Sequence, residues 1–238
     1  ITLKIGLVGY GAMGKVIEQC VAENDELVIF APELKTVLDD TSEKVDVLID
    51  FSNPRACDAI LAYAEKNNVP VVIAATGHSS EQLDQIAALA THVPVLKSAN
   101  FSLGVNLVNR MLREYAPILK DFFDIEIIEK HHRLKEDAPS GTAKLFADTI
   151  NETLHYDFVN GRDGFSKRQD KEIGVHAVRG GSIVGEHEVI FAGMDEIISL
   201  KHEAFSKNIF ANGALNGAKW LVDKEAGLYD MEAVLFGK

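Results

Sequence analysis

Two histidines, an arginine and a lysine lie within one short stretch of the chain, at His131, His132, Arg133 and Lys135. This concentration of cationic and titratable side chains exceeds what a surface loop requires. Imidazole and ammonium groups can donate protons to a reacting atom, and they bind carboxylates through charge-assisted hydrogen bonds. The stretch therefore predicts a site that holds a small acid and transfers a proton to it.

The elements on either side of this stretch are a strand and a helix. Residues Phe123–Glu129 predict a strand that delivers the histidines at its end. Pro139 disfavours helical geometry at the residue before it and Ser140 is a good N-cap, so we expect the helix to begin at Gly141. Apolar residues then recur at helical spacing, at Ala143, Phe146, Ala147, Ile150 and Leu154. The first amides of such a helix, those of Gly141 and Thr142, favour an anion.

The same residues carry a family resemblance. The pattern E-x-H-H-x-x-K-x-D-A-P-S-G-T-A is matched without a gap from Glu129 to Ala143, and it resembles the signature of dihydrodipicolinate reductase, an enzyme of the lysine and diaminopimelate pathway. The resemblance implies NAD(P)H-dependent reduction of 4-hydroxy-tetrahydrodipicolinate to tetrahydrodipicolinate, with loss of water. It implies catalytic roles for His131 and Lys135, and substrate binding by His132, Gly141 and Thr142.

Elementary chemistry leads to compatible roles. A cyclic dicarboxylate needs two anion anchors, and we expect Gly141 with Thr142 to supply one and His132 with Lys135 the other. Hydride addition at one carbon requires a proton at its neighbour, and hence a general acid. We expect Lys135 to donate this proton, His131 to act as a nearby acid/base group, and His132 to serve mainly as an anchor.

The chain opens on a dinucleotide-binding pattern. An apolar strand at 3–8 runs directly into Gly9-Tyr10-Gly11-Ala12-Met13-Gly14, and a helical pattern follows. A G-x-G-x-x-G sequence between a strand and a helix is typical of nucleotide binding. The first glycine permits a tight turn, the second lets the pyrophosphate approach the backbone, and the third lets helix and strand pack closely.

Strands and helices alternate through the rest of the N-terminal half. Strands are predicted at 27–31, 45–50, 69–74 and 93–97, with helices at about 55–67 and 79–91. Such alternation favours a parallel sheet with right-handed crossovers and ligands beyond the carboxyl ends of its strands. Turns at those ends resemble the family's segments that line the nicotinamide and its ribose: Phe51, Ser52, Ala74, Ala75, Thr76, Ser98, Ala99, Asn100 and Phe101. Many relatives have glycine and threonine first where this chain has Ala74-Ala75, a departure that should preserve backbone contacts.

The segment after the second strand bears on the choice of cofactor. Strict NAD enzymes usually carry an acidic residue at this point. Here Glu33 and Lys35 offer both an acid and a base, and Lys15 lies close to the glycines. We expect both NADPH and NADH to be used, with Lys35 or Lys15 favouring NADPH modestly.

The C-terminal half predicts a second, differently built domain. A helix at about 100–114 leads into it, and strands at 123–129, 173–178, 186–192 and 196–202 predict a sheet of at least four strands with a helix on one face. We expect a second subunit to cover the other face, including the strands near Val189 and Ile198, and the resemblance implies a homotetramer. The charged, glycine-rich stretch Gly161–Gln169 is interpreted as a mobile loop. Arg179-Gly180-Gly181 and Gly185-Glu186-His187 resemble the family's R-G-G-x-x-x-G-x-H run.

The predicted fold class is therefore α/β. An N-terminal Rossmann-like parallel-sheet domain spans 1–101, and the resemblance implies that about 213–238 completes it. An α+β domain at 102–212 binds substrate and uses its open sheet for oligomerisation. A last helix from about 208 is expected to end at Gly227, before a short apolar tail.

Composition limits the class of function. The 238 residues carry a formal charge of −12, which argues against nucleic acid as a partner. We see neither a membrane-spanning apolar run nor a signal peptide, and Cys20 and Cys57 lack the spacing of a metal or redox motif, so a reducing cytoplasm is expected.

Three other functions would use parts of the same pattern. A semialdehyde or hydroxy-acid dehydrogenase could use the same plan, but the semialdehyde version needs a cysteine nucleophile in the second domain, where there is none. A non-catalytic nucleotide sensor would keep the glycines without a reason to keep His131, His132 and Lys135 together. A metal site built from His131, His132 and His187 is disfavoured, because adjacent histidines cannot easily ligate one ion from a strand.

Overall fold

The computed structural model describes residues 2–30 and 44–237. These fall into two compact units, one formed by Ile1–Leu103 with Lys207–Lys238 and the other by Gly104–Ser206. Glu33 and Lys35 lie outside the described residues. Each unit is described below by itself.

Unit 1 is built on a parallel sheet. Its strands are β1 (Lys4–Val8), β2 (Glu26–Phe30), β3 (Val47–Asp50), β4 (Val71–Ile73), β5 (Pro94–Lys97) and β11 (Gly227–Tyr229). They lie in the order β11-β5-β4-β3-β1-β2 and every pair is parallel. Its helices are α1 (Ala12–Cys20), α2 (Cys57–Asn67), α3 (Ser80–Leu89), α6 (Asn208–Leu221) and α7 (Met231–Phe236), with a 3-10 turn at Pro54–Ala56.

Successive residues of each strand point to opposite faces of this sheet, and an apolar layer packs on each face. Leu48 packs on the side of α2 and α3, against Ile60 and Ile86. Ile49 packs on the other side, in the layer that contains Ile17 of α1 and a row of small and apolar residues on α6. The sheet is thus covered on both faces, which explains its nearly continuous apolar strands and confirms the Rossmann-like prediction.

Unit 2 contains a mixed sheet. The elements are α4 (Leu103–Leu119), β6 (Asp124–His131), α5 (Gly141–Leu154), β7 (Asp157–Asn160), β8 (Glu172–Arg179), β9 (Gly185–Ala192) and β10 (Ile197–Ala204). The order is β10-β9-β6-β8-β7; β6 and β7 run parallel to β8, whereas β9 is antiparallel to β6 and to β10. Apolar residues of α4 and α5 pack on one face of the sheet.

The opposite sheet face mixes apolar and charged side chains. Ile128 and Ile190 are partly exposed there, and Val178 and Ile197 are exposed, among several lysines and glutamates. The prediction took Val189 and Ile198 as markers of this face, and neither lies on it. Ile198 pairs with the buried Phe191 and so lies on the helix side of the sheet, and Val189 is fully buried in the core beneath the helices. Its neighbours in the strand, not Val189 itself, point away from the helices.

Several element boundaries differ from the sequence-based expectation. Strand β6 runs on to His131, which pairs with Arg179 of β8. Helix α6 ends at Leu221 and not at Gly227, which is the first residue of β11. Strands β7 and β11 and helix α7 were not predicted, so the segment from Gly227 is a strand and a capped helix and not an apolar tail. Helix α4 continues past Glu114 to Leu119 and includes Pro117.

The stretch Gly161–Gln169, interpreted as a mobile loop, is anchored by two arginines. Arg162 donates to Glu172 at 2.7 Å and also contacts Glu126. Arg168 pairs with Asp124 at 2.8 Å and donates to the carbonyl of Glu172 at 2.7 Å. These contacts tie the stretch to β6 and β8. None of the helices in the described residues has the length and apolar character needed to cross a membrane.

Candidate active site

The predicted nucleotide site begins where β1 ends in unit 1. Gly9 adopts φ +95°, and a Cβ there would lie 2.7 Å from the amide nitrogen of Ser52. A Cβ on Gly14 would lie 2.4 Å from the carbonyl oxygen of Gly9, so the third glycine is what allows α1 to pack against the turn. Among the residues that the structure describes, none comes within 4 Å of a Cβ built on Gly11, which leaves the backbone approachable from that part of the chain. Each glycine therefore has the geometry that its predicted role requires.

The remaining residues of this segment differ in exposure. Tyr10 is exposed, and its hydroxyl donates to the carboxylate of Glu18. Ala12 and Met13 form the first turn of α1, with Ala12 exposed and Met13 packed against the core. The segment thus offers mainly backbone to a ligand.

Turns after β3, β4 and β5 lie along the carboxyl edge of the same sheet. Phe51 donates its amide to Val8 at 2.9 Å, and the amides of Ala74 and Ala75 both reach the carbonyl of Asp50, at 2.9 and 3.0 Å. The Ser52 hydroxyl donates to the Asp50 carboxylate. Thr76, which follows Ala75, is exposed. The β-strand register therefore brings the predicted ribose and nicotinamide segments to one edge.

The turn after β5 is held by its own side chains. The Ser98 hydroxyl donates to the carbonyl of Asn100 at 3.1 Å, and Asn100 Oδ1 accepts from the amide of Ser102 at 2.8 Å. Ala99 is exposed between them. Phe101 is only 4% exposed and packs in the core with α6, so its ring is structural.

In unit 2 the histidine and lysine stretch begins at the last residue of β6. His131 Nδ1 lies 2.6 Å from Glu129 Oε2, and the half-buried His132 accepts the Lys135 amide on its carbonyl at 3.1 Å. Lys135 Nζ donates to Asp137 Oδ1 at 2.8 Å. The hydrogen bond from Lys135 keeps the pKa of the Asp137 carboxyl below its usual range. The lysine side chain is therefore tethered close to its own loop.

Helix α5 begins at Gly141, as predicted, and Ser140 caps it by accepting from the Ala143 amide at 3.2 Å. Gly141 is exposed, with open space where a Cβ would be, and Thr142 follows in the first turn. The N-terminal end of the helix carries partial positive charge and can bind an anion. The site thus combines an imidazole, an ammonium and a helix N-terminus on one short stretch of chain.

Sequence reasoning gave no role in the site to Glu129, Arg179 or His187, and it used Ser140 only as a helix cap. Arg179 forms two hydrogen bonds to Glu129 and donates to the carbonyl of Asp137 as well. The Ser140 hydroxyl lies 2.8 Å from His187 Nε2. Two signals could have found them: a glutamate on the core-facing side of a strand, and the arginine and histidine of the R-G-G-x-x-x-G-x-H run.

His187 is the most perturbed titratable group of the site. Burial, together with the neighbouring His131, lowers the pKa of His187 to about 4, so its ring is neutral at pH 7. Its ring packs edge-on against His131, with centroids 5.0 Å apart. Among the described residues its Nδ1 is buried without a hydrogen-bond partner. No group of three or more His, Cys, Asp or Glu side chains in residues 2–30 and 44–237 is arranged to hold a metal ion.

Comparisons with known proteins agree for the whole chain. Residues 3–101 match the family model described as Dihydrodipicolinate reductase, N-terminus, and residues 104–235 match Dihydrodipicolinate reductase, C-terminus. The chain is 48% identical to a 4-hydroxy-tetrahydrodipicolinate reductase of Clostridium novyi over 96% of both chains. It is 46% identical to one of Brachyspira hyodysenteriae, over 98% of this chain and all of the relative.

A solved structure shows the same fold. A dipicolinate-bound dihydrodipicolinate reductase from Paenisporosarcina sp. TG-14 superposes with a TM-score of 0.77, at 23% identity, over 99% of this chain and 100% of that chain.

Proposed function

This chain belongs to the dihydrodipicolinate reductase family, and from that membership we propose the reaction and the residues that carry it out. The reaction is the NAD(P)H-dependent reduction of 4-hydroxy-tetrahydrodipicolinate to tetrahydrodipicolinate in lysine and diaminopimelate biosynthesis. Water leaves the substrate, hydride passes from the reduced nicotinamide to one ring carbon, and a proton goes to the adjacent carbon. The protein contributes the orientation of both ligands and the proton.

Unit 1 is assigned the pyridine nucleotide. The support is the turn at Gly9–Gly14, in which backbone is approachable at Gly11 and packed tightly at Gly14. Backbone amides and the helix N-terminus would hold the pyrophosphate, and the turns around Ser52, Thr76 and Asn100 would line the ribose and nicotinamide. We assign both NADPH and NADH as cofactors, with Lys35 or the exposed Lys15 contributing to NADPH binding.

Unit 2 is assigned the dicarboxylate. The amides of Gly141 and Thr142 bind one carboxylate, and His132 anchors the other with help from the ammonium of Lys135. Lys135 then supplies the proton. Its present partner is Asp137, which is well exposed, so the ammonium can exchange this carboxylate for that of a ligand at little cost.

His131 is assigned the second acid/base role. It differs from its neighbour His132 in being fixed by a buried carboxylate, Glu129. The single observation that carries the assignment to unit 2 is this convergence of a fixed imidazole, a tethered ammonium and an open helix N-terminus between Glu129 and Thr142.

The test is direct. Freshly prepared cyclic substrate should cause loss of absorbance at the reduced-nicotinamide band in the presence of the protein, and dipicolinate, a planar analogue, should inhibit it. If the protein binds NADPH but does not oxidise it with this substrate, the proposed function is wrong.

We also assign a homotetramer that acts in the cytoplasm, where reduced nicotinamides are available. The support is the sheet face of unit 2 with Ile128, Ile190 and Val178, which neither α4 nor α5 covers. Sedimentation at micromolar concentration tests the assembly. A monomer there would refute this part of the proposal without touching the reaction.

A further inference from the structure

A carboxylate without solvent exposure lies beneath the histidine stretch. Glu129 is 0% exposed, on the same core-facing side of β6 as Ile125 and Ile127. A buried charge costs several kcal/mol unless hydrogen bonds compensate for it. The partners of this carboxylate therefore decide what it does.

Three N–H groups and the ring nitrogen Nδ1 of His131 converge on the two oxygens of Glu129. Oε1 accepts from the Ser140 amide at 3.0 Å and from Arg179 Nη2 at 2.8 Å. Oε2 accepts from Arg179 Nη1 at 2.7 Å and lies 2.6 Å from His131 Nδ1. Burial alone would raise the pKa of the Glu129 carboxyl, but the bonds from Arg179, His131 and Ser140 together hold that pKa below its usual range. The carboxylate is ionised and can only accept hydrogen bonds.

We propose that Glu129 is a positioning residue that fixes the tautomer and the orientation of His131 for the reduction. With Nδ1–H committed to Glu129, the imidazole must use Nε2 for every proton it takes up or releases. Arg179 aims the carboxylate, and the ring of His187 packs against the ring of His131. This inference rests on the function proposed above and specifies how one of its acid/base groups is prepared.

The surroundings of Nε2 fit this assignment. A Cβ built on Gly185 would lie 3.2 Å from His131 Nε2. A side chain at position 185 would therefore crowd the nitrogen that has to exchange the proton. Glycine at position 185, which is itself buried, avoids this contact with the ring.

Glu129→Gln is the informative change, because it preserves shape while removing one acceptor. The single amide oxygen would have to serve the Ser140 amide and one N–H of Arg179. Its NH₂ group would then face His131 Nδ1 as a donor and force the proton to Nε2. In a serine protease, loss of the equivalent carboxylate inverts the histidine tautomer and lowers kcat by about 10⁴-fold.

Strand β6 provides a matched control on its other face. Glu126 lies 2.6 Å from His176 Nε2 and also pairs with Arg162 and Arg168. Glu126→Gln therefore perturbs the same kind of carboxylate, histidine and arginine cluster outside the histidine stretch, on the sheet face assigned to subunit contact, and sedimentation checks that this variant assembles as the wild type does. Comparison of the two variants separates positioning from general destabilisation.

The experiment measures kcat, substrate KM and NADPH affinity for both variants, and records ¹⁵N NMR of ¹⁵N-histidine-labelled full-length protein at alkaline pH. We expect the wild type to show the Nδ1–H form of His131. We expect Glu129→Gln to show the Nε2–H form with kcat reduced at least about 10²-fold, at nearly constant NADPH affinity. Glu126→Gln should keep kcat within about threefold.

Two results would overturn the proposal. One is an Nε2–H tautomer of His131 in the wild type, which decides the matter even if Glu129→Gln does not fold. The other is a kcat for Glu129→Gln equal to that of Glu126→Gln. If the wild type did not oxidise NADPH with the cyclic substrate, the proposed function would fail, while the tautomer spectra would still decide whether Glu129 controls His131.

Discussion

Replacement of Lys135 by alanine separates a catalytic role from a structural one by magnitude. In the structure the ammonium makes one ion pair, to Asp137 at 2.8 Å, and the Asp137 side chain is 55% exposed. An exposed pair of this kind contributes only about 0–1 kcal/mol to stability. Lys135→Ala should therefore lower the melting temperature by no more than about 2–4 °C.

The effect on the reaction should be far larger. A well-placed general acid accelerates a reaction by about 10²–10⁴-fold, equivalent to roughly 3–5 kcal/mol of activation free energy. We expect kcat to fall by that factor, with NADPH affinity nearly constant because the nucleotide is assigned to unit 1. The measurements are steady-state kinetics with the cyclic substrate, nucleotide titration and thermal unfolding.

Lys120 supplies the control for this substitution. Its ammonium also pairs with an aspartate, Asp121, at 2.8 Å, in unit 2 but outside the proposed site. Lys120→Ala should show a similarly small change in melting temperature and an unchanged kcat. Near-normal kcat in Lys135→Ala, together with a collapse of NADPH binding, would refute both the role of the lysine and the assignment of ligands to units.

Four further predictions concern single positions. His132→Ala should raise substrate KM more than it lowers kcat, and a pure kcat effect in steady-state assays would argue against an anchor. Gly11→Ala should keep the melting temperature but weaken NADPH binding, whereas Gly14→Ala should also lower the melting temperature because its Cβ meets the Gly9 carbonyl; equal melting temperatures would contradict this. Lys35→Ala should lower the NADPH-to-NADH ratio of kcat/KM, and an unchanged ratio would remove Lys35 from cofactor choice. The free energy of unfolding should decline by up to about 3 kcal/mol as the pH falls from 6.5 to 4, because the folded pKa of His187 is lowered to about 4 and unfolding in this range takes up a proton. In denaturant titrations, His187→Gln should lack this part of the decline with pH.

The elements that sequence patterns predicted are those with strong local signals. The parallel strands of unit 1 are apolar runs bounded by turns, and Ser140 with Pro139 marked the start of α5 at the right residue. The missed elements have weak local signals. Strand β7 has only four residues and β11 three, and both exist because a longer neighbour offers them hydrogen-bonding partners. Tertiary pairing, not propensity, forms such strands.

The candidate site divides in the same way. His131, Lys135 and Gly141 belong to one continuous motif, so their proximity follows from the sequence. The pairing of Glu129 with Arg179 does not, because it joins positions 50 residues apart through the register of β6 and β8. Helix α4 shows tertiary packing overriding a local signal. Pro117 would be expected to end the helix, but α4 continues to Leu119, with Ala116 buried in the core of unit 2.

Unit 1 is built from two separate segments of the chain, which has a consequence for folding during synthesis on the ribosome. Strand β11 borders β5, and α6 supplies Ala211, Ala214 and Leu221 to one of the two apolar layers. When the ribosome has made the chain as far as residue 103, the β5 edge is therefore unpaired and that apolar layer lacks the residues of α6. Unit 2, which is continuous in sequence, has all of its strands before α6 is translated. The nascent protein must keep this sheet unfinished, and vulnerable to strand addition from other chains, until α6 and β11 emerge.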